Sequence, residues 1–146
     1  MTPEDRQLVH DSWARASARP DELATRFYAF LFEIDPEAAR LFATTDMAAQ
    51  RMKFVDMLGS IVRAIDEPEE LVPTAAALAR RHVGYGVVDR HYDSVGESLL
   101  HALHEELGDR FTAETRAAWV EAYALLASVM RRATARASGS MPRVQS

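Results

Sequence analysis

Apolar positions recur at helical spacing along nearly the whole chain. Leu8, Val9 and Trp13 form a first stripe, and Leu23, Phe27, Phe30, Leu31 and Ile34 form a second. Phe54, Leu58, Ile61 and Ile65 follow at i, i+4, i+7 and i+11. Leu71, Ala75 and Leu78 lead up to His82, and Tyr92, Val95, Leu99 and Leu103 mark a further face. Trp119, Tyr123, Leu126 and Met130 repeat the long-helix spacing near the end. β-branched runs are scarce, so the pattern predicts about seven helices and no strands.

Polar residues punctuate these stripes. Thr2-Pro3-Glu4-Asp5 supplies a cap, a first-turn proline and acids for the positive helix end. The stretch from Ala16 to Pro20 breaks that helix, and Asp21 is a candidate cap for the next, which runs to Ile34. Asp35-Pro36 opens a short helix ending near Leu41-Phe42. Asp46 caps a long helix to about Ile65, and Asp66 to Glu70 is an acidic turn whose charge is expected to be solvated. A helix from about Glu69 ends at His82, where Gly84 and Gly86 permit positive φ. The next ends at Leu107-Gly108, and the last begins after Phe111-Thr112. A frayed or disordered tail is expected from Ala135, giving a domain over 1–134 and a tail over 135–146.

Composition narrows the function classes. Hydrophobic residues are 48% and charged residues 27%, the balance of a soluble globule. The net charge of −5 disfavours a general nucleic-acid binder. With no Cys, disulfides, thiolate zinc sites and Cys nucleophiles are excluded. The first residues carry no signal-peptide pattern, and no run approaches the ~18 apolar residues of a membrane span. A cytoplasmic protein with no membrane partner is expected.

Several polar residues lie on or beside the apolar stripes. His82 is four residues after Leu78, so its imidazole faces the apolar side. Neutral imidazole suits a haem iron, and a single axial histidine can hold haem, yet a histidine at a helix end also serves as a surface or capping residue. Tyr28 is either a core ring with a surface hydroxyl or a hydroxyl aimed into a cavity. Gln50, one turn before Phe54, is either a solvated end of its stripe or a donor in a pocket. His10 is expected to face solvent. His101 and His104 have metal-ligand spacing but no evident third ligand, so a solvated face is expected there too.

Together these motifs resemble a bacterial single-domain globin, and most closely the haem domain of flavohaemoglobins and related thermophile and methanotroph globins. The resemblance rests on Phe27-Tyr28-Ala29-Phe30-Leu31-Phe32, Pro36 to Phe42, Arg81-His82 through Tyr92-Asp93-Ser94-Val95-Gly96-Glu97-Ser98-Leu99-Leu100, and Ala118-Trp119-Val120-Glu121-Ala122-Tyr123. It spans roughly residues 4–133. It implies an all-α globin fold, a three-over-three helical sandwich around haem b. His82 resembles the proximal iron ligand, and Phe42 the phenylalanine wedged against the porphyrin. Tyr28 and Gln50 resemble the distal pair that faces bound gas. Phe54 stands where the family usually has leucine, and is expected to narrow the cavity unless its ring turns aside against Phe30 or Met57. Tyr92 resembles the tyrosine near the proximal imidazole. Val87, Val95, Leu99 and Tyr123 are candidate haem-wall residues, and Arg81 is a candidate propionate partner.

Two departures bear on the chemistry. Flavohaemoglobins continue into flavin and nicotinamide domains, which are not seen here, so reduction of haem is expected to need a separate reductase. They also carry a carboxylate on the last helix beside the proximal tyrosine and histidine. Thr134 falls near that position, which weakens the case for peroxidase-like chemistry. The resemblance leaves three readings: reversible binding of dioxygen, with carbon monoxide or nitric oxide as other gas ligands; nitric oxide dioxygenation to nitrate; and a haem-free globin-like interaction module.

Overall fold

The computed structural model describes the backbone of residues 1–67, 73, 76–77 and 89–145, and side chains to Met130 apart from those of 89–92 and 129. The described elements are α1 (Pro3–Ala16), α2 (Pro20–Ile34), α3 (Pro36–Leu41), α4 (Met47–Ala64), α5 (Asp89–Leu107) and α6 (Ala113–Gln145), with a 3-10 turn at Gly108–Arg110. The expected helix from about Glu69 to His82 lies outside the described residues except at Pro73, Ala76 and Ala77, which are helical. Among the described residues the chain is all-α, as the periodicity predicts, and no described helix is long and apolar enough to cross a membrane.

Local chemistry starts most of these helices where the punctuation puts them. Asp5 N–H donates to Thr2 Oγ1 at 3.1 Å and Thr2 N–H donates to Asp5 Oδ2 at 3.1 Å, a reciprocal capping box. Asp35 accepts from Ala38 N–H at 3.1 Å, Asp46 from Ala48 N–H at 3.1 Å, and Thr112 Oγ1 from Thr115 N–H at 3.1 Å. Gly108 ends the α5 region at φ +56°, a conformation side chains resist. Asp21 does not cap α2. Pro20 already has the fixed φ of a first helical residue, so Asp21 lies within the first turn and accepts from Arg51 Nε on α4 at 3.1 Å. The backbone of α6 is helical to Gln145, past Ala135 where a tail is expected. Ala135 and Ala137 favour a helix there, while Gly139 and Pro142 oppose one.

The core forms where α2 packs on α3, α4 and α5, where α1 closes over α4 and α5, and where α6 packs on α1 and α5. Leu23, Phe27, Leu31, Leu58, Leu99, Leu103 and Trp119 are buried in it. Ala102 and Ala118 are fully buried, and such small side chains let the helices approach. Gly96 shows the same need: a Cβ there would stand 2.8 Å from Cε2 of Tyr123. Two polar links tie distant helices. Trp119 Nε1 donates to Ser12 Oγ at 2.7 Å, and Ser12 donates on to the Leu8 carbonyl at 2.6 Å. Glu106, with its side chain 3% exposed, accepts from Arg26 Nε at 3.1 Å. Within the acidic turn Asp66 is exposed and also paired, lying 3.3 Å from Arg6 and 2.8 Å from Nε2 of His10. His10 is accordingly half-buried rather than turned to solvent.

Ser12→Ala tests the first link. It strands the Trp119 N–H in a residue only 3% exposed. An unsatisfied buried donor costs about 1–3 kcal/mol. Urea unfolding should show a midpoint lowered by that amount with the slope unchanged; an unchanged midpoint would mean that the indole does not depend on Ser12.

Candidate functional site

The sequence candidates on α2, α3 and α4 converge on one corner. Tyr28 lies on α2 beside Phe27, and Phe42 follows the last residue of α3. Gln50 and Phe54 are one turn apart on α4, so their side chains share a face. Gln50 Nε2 donates to the Tyr28 hydroxyl oxygen at 3.0 Å. The polar residue in line with an apolar stripe is therefore a donor, and the tyrosine hydroxyl is aimed at another helix.

Aromatic packing surrounds the Tyr28 ring, which is only 6% exposed. Phe42 meets it edge-on at 5.5 Å and 70°, and Phe54 at 5.7 Å and 66°. Phe27 meets it at 4.9 Å and 83°, and Phe32 at 5.8 Å in a tilted arrangement. Edge-to-face contacts at these separations are favoured by the ring quadrupole, so they select an orientation as well as filling volume. The Phe54 ring turns neither to Phe30 nor to Met57 as its main partner. It stacks on Phe27 at 4.1 Å with 18° between planes.

The electrostatics follow from burial. Burial pushes the Tyr28 phenol above the ordinary tyrosine range, because a phenolate would lose its hydration, and the Gln50 hydrogen bond partly opposes that. The hydroxyl stays protonated across neutral and mildly alkaline pH. Its oxygen is an acceptor for Gln50, and its own proton finds no acceptor among the described residues. A buried donor without a partner is the kind of group that a ligand satisfies.

The remaining candidates are placed less fully. Leu99 is buried in the core, and Val95 and Tyr123 are partly buried against it. Tyr123 lies over Gly96, so α6 contributes a ring to the α5 surface. The backbone of Tyr92 belongs to α5 but its side chain is outside the described residues, as are Arg81, His82 and Val87 altogether.

His101 and His104 find no third possible metal ligand among the described residues. His101 is also not simply solvated: its ring stacks on Phe30 at 3.9 Å and 10°. His104 stacks on Phe111 at 5.8 Å, and both line an open surface groove of about 460 Å³ with Glu97 and Arg116. Sequence reasoning assigned Phe27 no role at the site. It reads as one more apolar position in the α2 stripe, and only the paired ring on α4 distinguishes it.

The described half of the site fits a haem pocket on its own chemistry. It offers apolar rings and a buried hydroxyl whose proton finds no acceptor among the described residues. Comparison with known proteins agrees. The Globin family model matches residues 25–130. A flavohemoprotein of Rhodopirellula baltica is 30% identical over 84% of this chain and 31% of its own length. One from Deinococcus radiodurans is 31% identical over 89% of this chain and 33% of its length. The chain thus spans about a third of the flavohemoproteins it matches. A neuroglobin of Dissostichus mawsoni is 27% identical over 89% of this chain and 90% of the neuroglobin. With its helices, its core and the family match in agreement, this chain is a member of the globin family, whose all-α fold binds gases through haem.

Proposed function

We propose that this globin binds dioxygen reversibly at haem, for storage or transport, with Tyr28 as the ligand donor and Gln50 as the residue that orients it. The observation that carries this reading is the buried Tyr28 hydroxyl, whose oxygen accepts from Gln50 at 3.0 Å. That bond leaves the phenol proton as the group to offer. Haem, when bound, supplies an iron with one open coordination position. A gas that gains negative charge on binding is held by such a donor, whereas carbon monoxide gains little. A hydrogen bond to a charged acceptor contributes about 1.5–3 kcal/mol.

The cofactor is proposed to be haem b held by His82. Phe42, Phe54, Val87, Tyr92, Val95, Leu99 and Tyr123 are the proposed wall residues, and Arg81 the proposed propionate partner. What supports these assignments is the family motif in the sequence, together with the burial of Leu99 and the aromatic contacts of Phe42 and Phe54.

A second reading is nitric oxide dioxygenation to nitrate, with a separate reductase in the cytoplasm restoring ferrous haem. The likeness to flavohemoproteins favours it. The same distal donor serves both readings. Nitric oxide consumption by the purified protein, supplied with a reductase, separates them: sustained turnover supports the second, and none supports the first.

His82→Ala should abolish stable haem incorporation or leave a weak, exchangeable haem. Absorption spectra of the purified variant check this, and an unchanged ferrous spectrum would remove His82 as the ligand.

Tyr28→Phe should speed dioxygen release by roughly 10–100-fold while changing carbon monoxide release much less. Stopped-flow dissociation of both gases checks it; equal effects would show that the hydroxyl is not a selective donor.

The raised Tyr28 phenol also sets an alkaline limit. As the pH rises past about 10, tyrosines in the unfolded chain ionise first. The unfolded state then binds fewer protons than the folded one, so stability falls as pH rises through this window. Unfolding curves from pH 9 to 11 should show a steeper loss in the parent than in Tyr28→Phe, and parallel curves would refute a perturbed Tyr28.

A further inference from the structure

Tyr28 carries the distal hydroxyl, but its own backbone does not fix where that hydroxyl points. A tyrosine ring turns about two side-chain bonds, and a single hydrogen bond to a half-buried Gln50 leaves that motion open. Among the described rings of the cluster, only one pair lies face to face. Phe27 on α2 and Phe54 on α4 are stacked at 4.1 Å and 18°, and they are 2% and 6% exposed. Both of these rings also meet the Tyr28 ring edge-on, at 83° and 66°. The stack spans the two helices that carry Tyr28 and Gln50. It therefore fixes the spacing across which their hydrogen bond forms.

We propose that the Phe27–Phe54 stack is the positioning element of the distal site, holding the Tyr28 ring so that its oxygen stays on Gln50 and its proton stays toward the ligand. The inference rests on the reading of Tyr28 as ligand donor. It assigns Phe27 a role in ligand selectivity, and it makes Phe54 a support for Tyr28 rather than a gate. The two roles of Phe54 differ in consequence. A gate acts on ligand entry, and only the residue beside the cavity matters. A support acts on how firmly the bound ligand is held, and removing either ring of the stack has the same effect.

The test uses the haem-loaded full chain with Phe27→Leu, Phe54→Leu and, as a core control, Leu58→Ala. Leu58 is buried one turn after Phe54 on α4 and belongs to no ring pair. Dioxygen and carbon monoxide dissociation are measured by stopped flow. Ionisation of Tyr28 is followed by phenolate absorbance in alkali, taking Tyr28→Phe as the blank. Both Leu variants should release dioxygen roughly 3–10-fold faster with carbon monoxide release little changed, a part of the full effect of losing the hydroxyl. In both, Tyr28 should ionise at lower pH, because a loosened ring admits water. Leu58→Ala should lower thermal stability without moving either readout. Should a Leu variant fail to fold by circular dichroism, Phe27→Met and Phe54→Met keep the bulk and remove only the flat ring, and they carry the same expectation.

Faster association in Phe54→Leu alone, with dissociation unchanged and Phe27→Leu silent, would overturn the proposal and make Phe54 a gate. Effects of Leu58→Ala equal to those of the stack variants would overturn it as general loosening of the core. If Tyr28→Phe is selective for dioxygen and the stack variants match the parent, the positioning role fails while the donor reading stands. If Tyr28→Phe itself leaves both gases unchanged, the donor reading has failed first.

Discussion

The distal corner depends on how firmly α2 is gripped along its length. The grip begins with a charge: Glu106 on α5 is nearly fully buried at its side chain and takes Arg26 Nε at 3.1 Å. A carboxylate so placed needs its cation, because removing one partner of a buried pair is far costlier than never having the pair. Arg26 also reaches Glu22 at 3.0 Å and Glu105 at 3.4 Å, and it holds the Glu22 carboxyl below its usual range. One turn further along α2, Phe30 stacks on His101. Residues 26 and 30 of α2 thus meet residues 106 and 101 of α5. The two helices run past each other in opposite directions, and two different chemistries fix one register.

That register leaves another side of α2 for the site. Tyr28 lies between Arg26 and Phe30 in sequence but points about half a helical turn away from both. It faces α4, where Gln50 and Phe54 wait one turn apart. Arg51 on α4 returns to Asp21 near the start of α2 at 3.1 Å, a contact that closes the same helix pair on its exposed side. The ion pair at that edge contributes little stability by itself. Its effect is to limit sliding between the two helices whose inner faces carry the hydroxyl and the amide. On the proposed reading, a rigid frame of this kind spares the ligand the ordering of the groups that receive it.

Much of this was legible in the sequence, because helical periodicity and cap chemistry are local. The stripes through Phe27, Phe54, Leu99 and Trp119 mark core faces, and Thr2, Asp35 and Asp46 mark helix starts by hydrogen bonds a few residues long. The polar residue Gln50 could be placed on the right face but not given a partner, since Tyr28 is distant in the chain and their contact exists only after packing. Phe27 was invisible for a related reason: periodicity assigns a ring to the core and says nothing of which ring it stacks on. The partners of charged residues were not legible either: Glu106 is buried under Arg26, and exposed Asp66 joins Arg6 and His10. Pairing partners of opposite charge are set by tertiary register, which no local pattern encodes.

The site also shows what a globular core gives up to hold a polar donor. A phenylalanine in place of Tyr28 could keep the aromatic contacts with Phe27, Phe32, Phe42 and Phe54. The Tyr28 hydroxyl instead receives a hydrogen bond while its own proton goes unmatched among the described residues, an arrangement that costs stability unless an acceptor arrives. Burial keeps that proton in place by making the phenolate unfavourable, and the amide of Gln50 keeps water-like solvation at the oxygen without offering the proton a home. The aromatic contacts around the ring offset the cost and narrow its orientation together. On the proposed reading, a donor held protonated and oriented is worth more to a ligand than the same hydroxyl in water, because little has to be turned when the ligand binds.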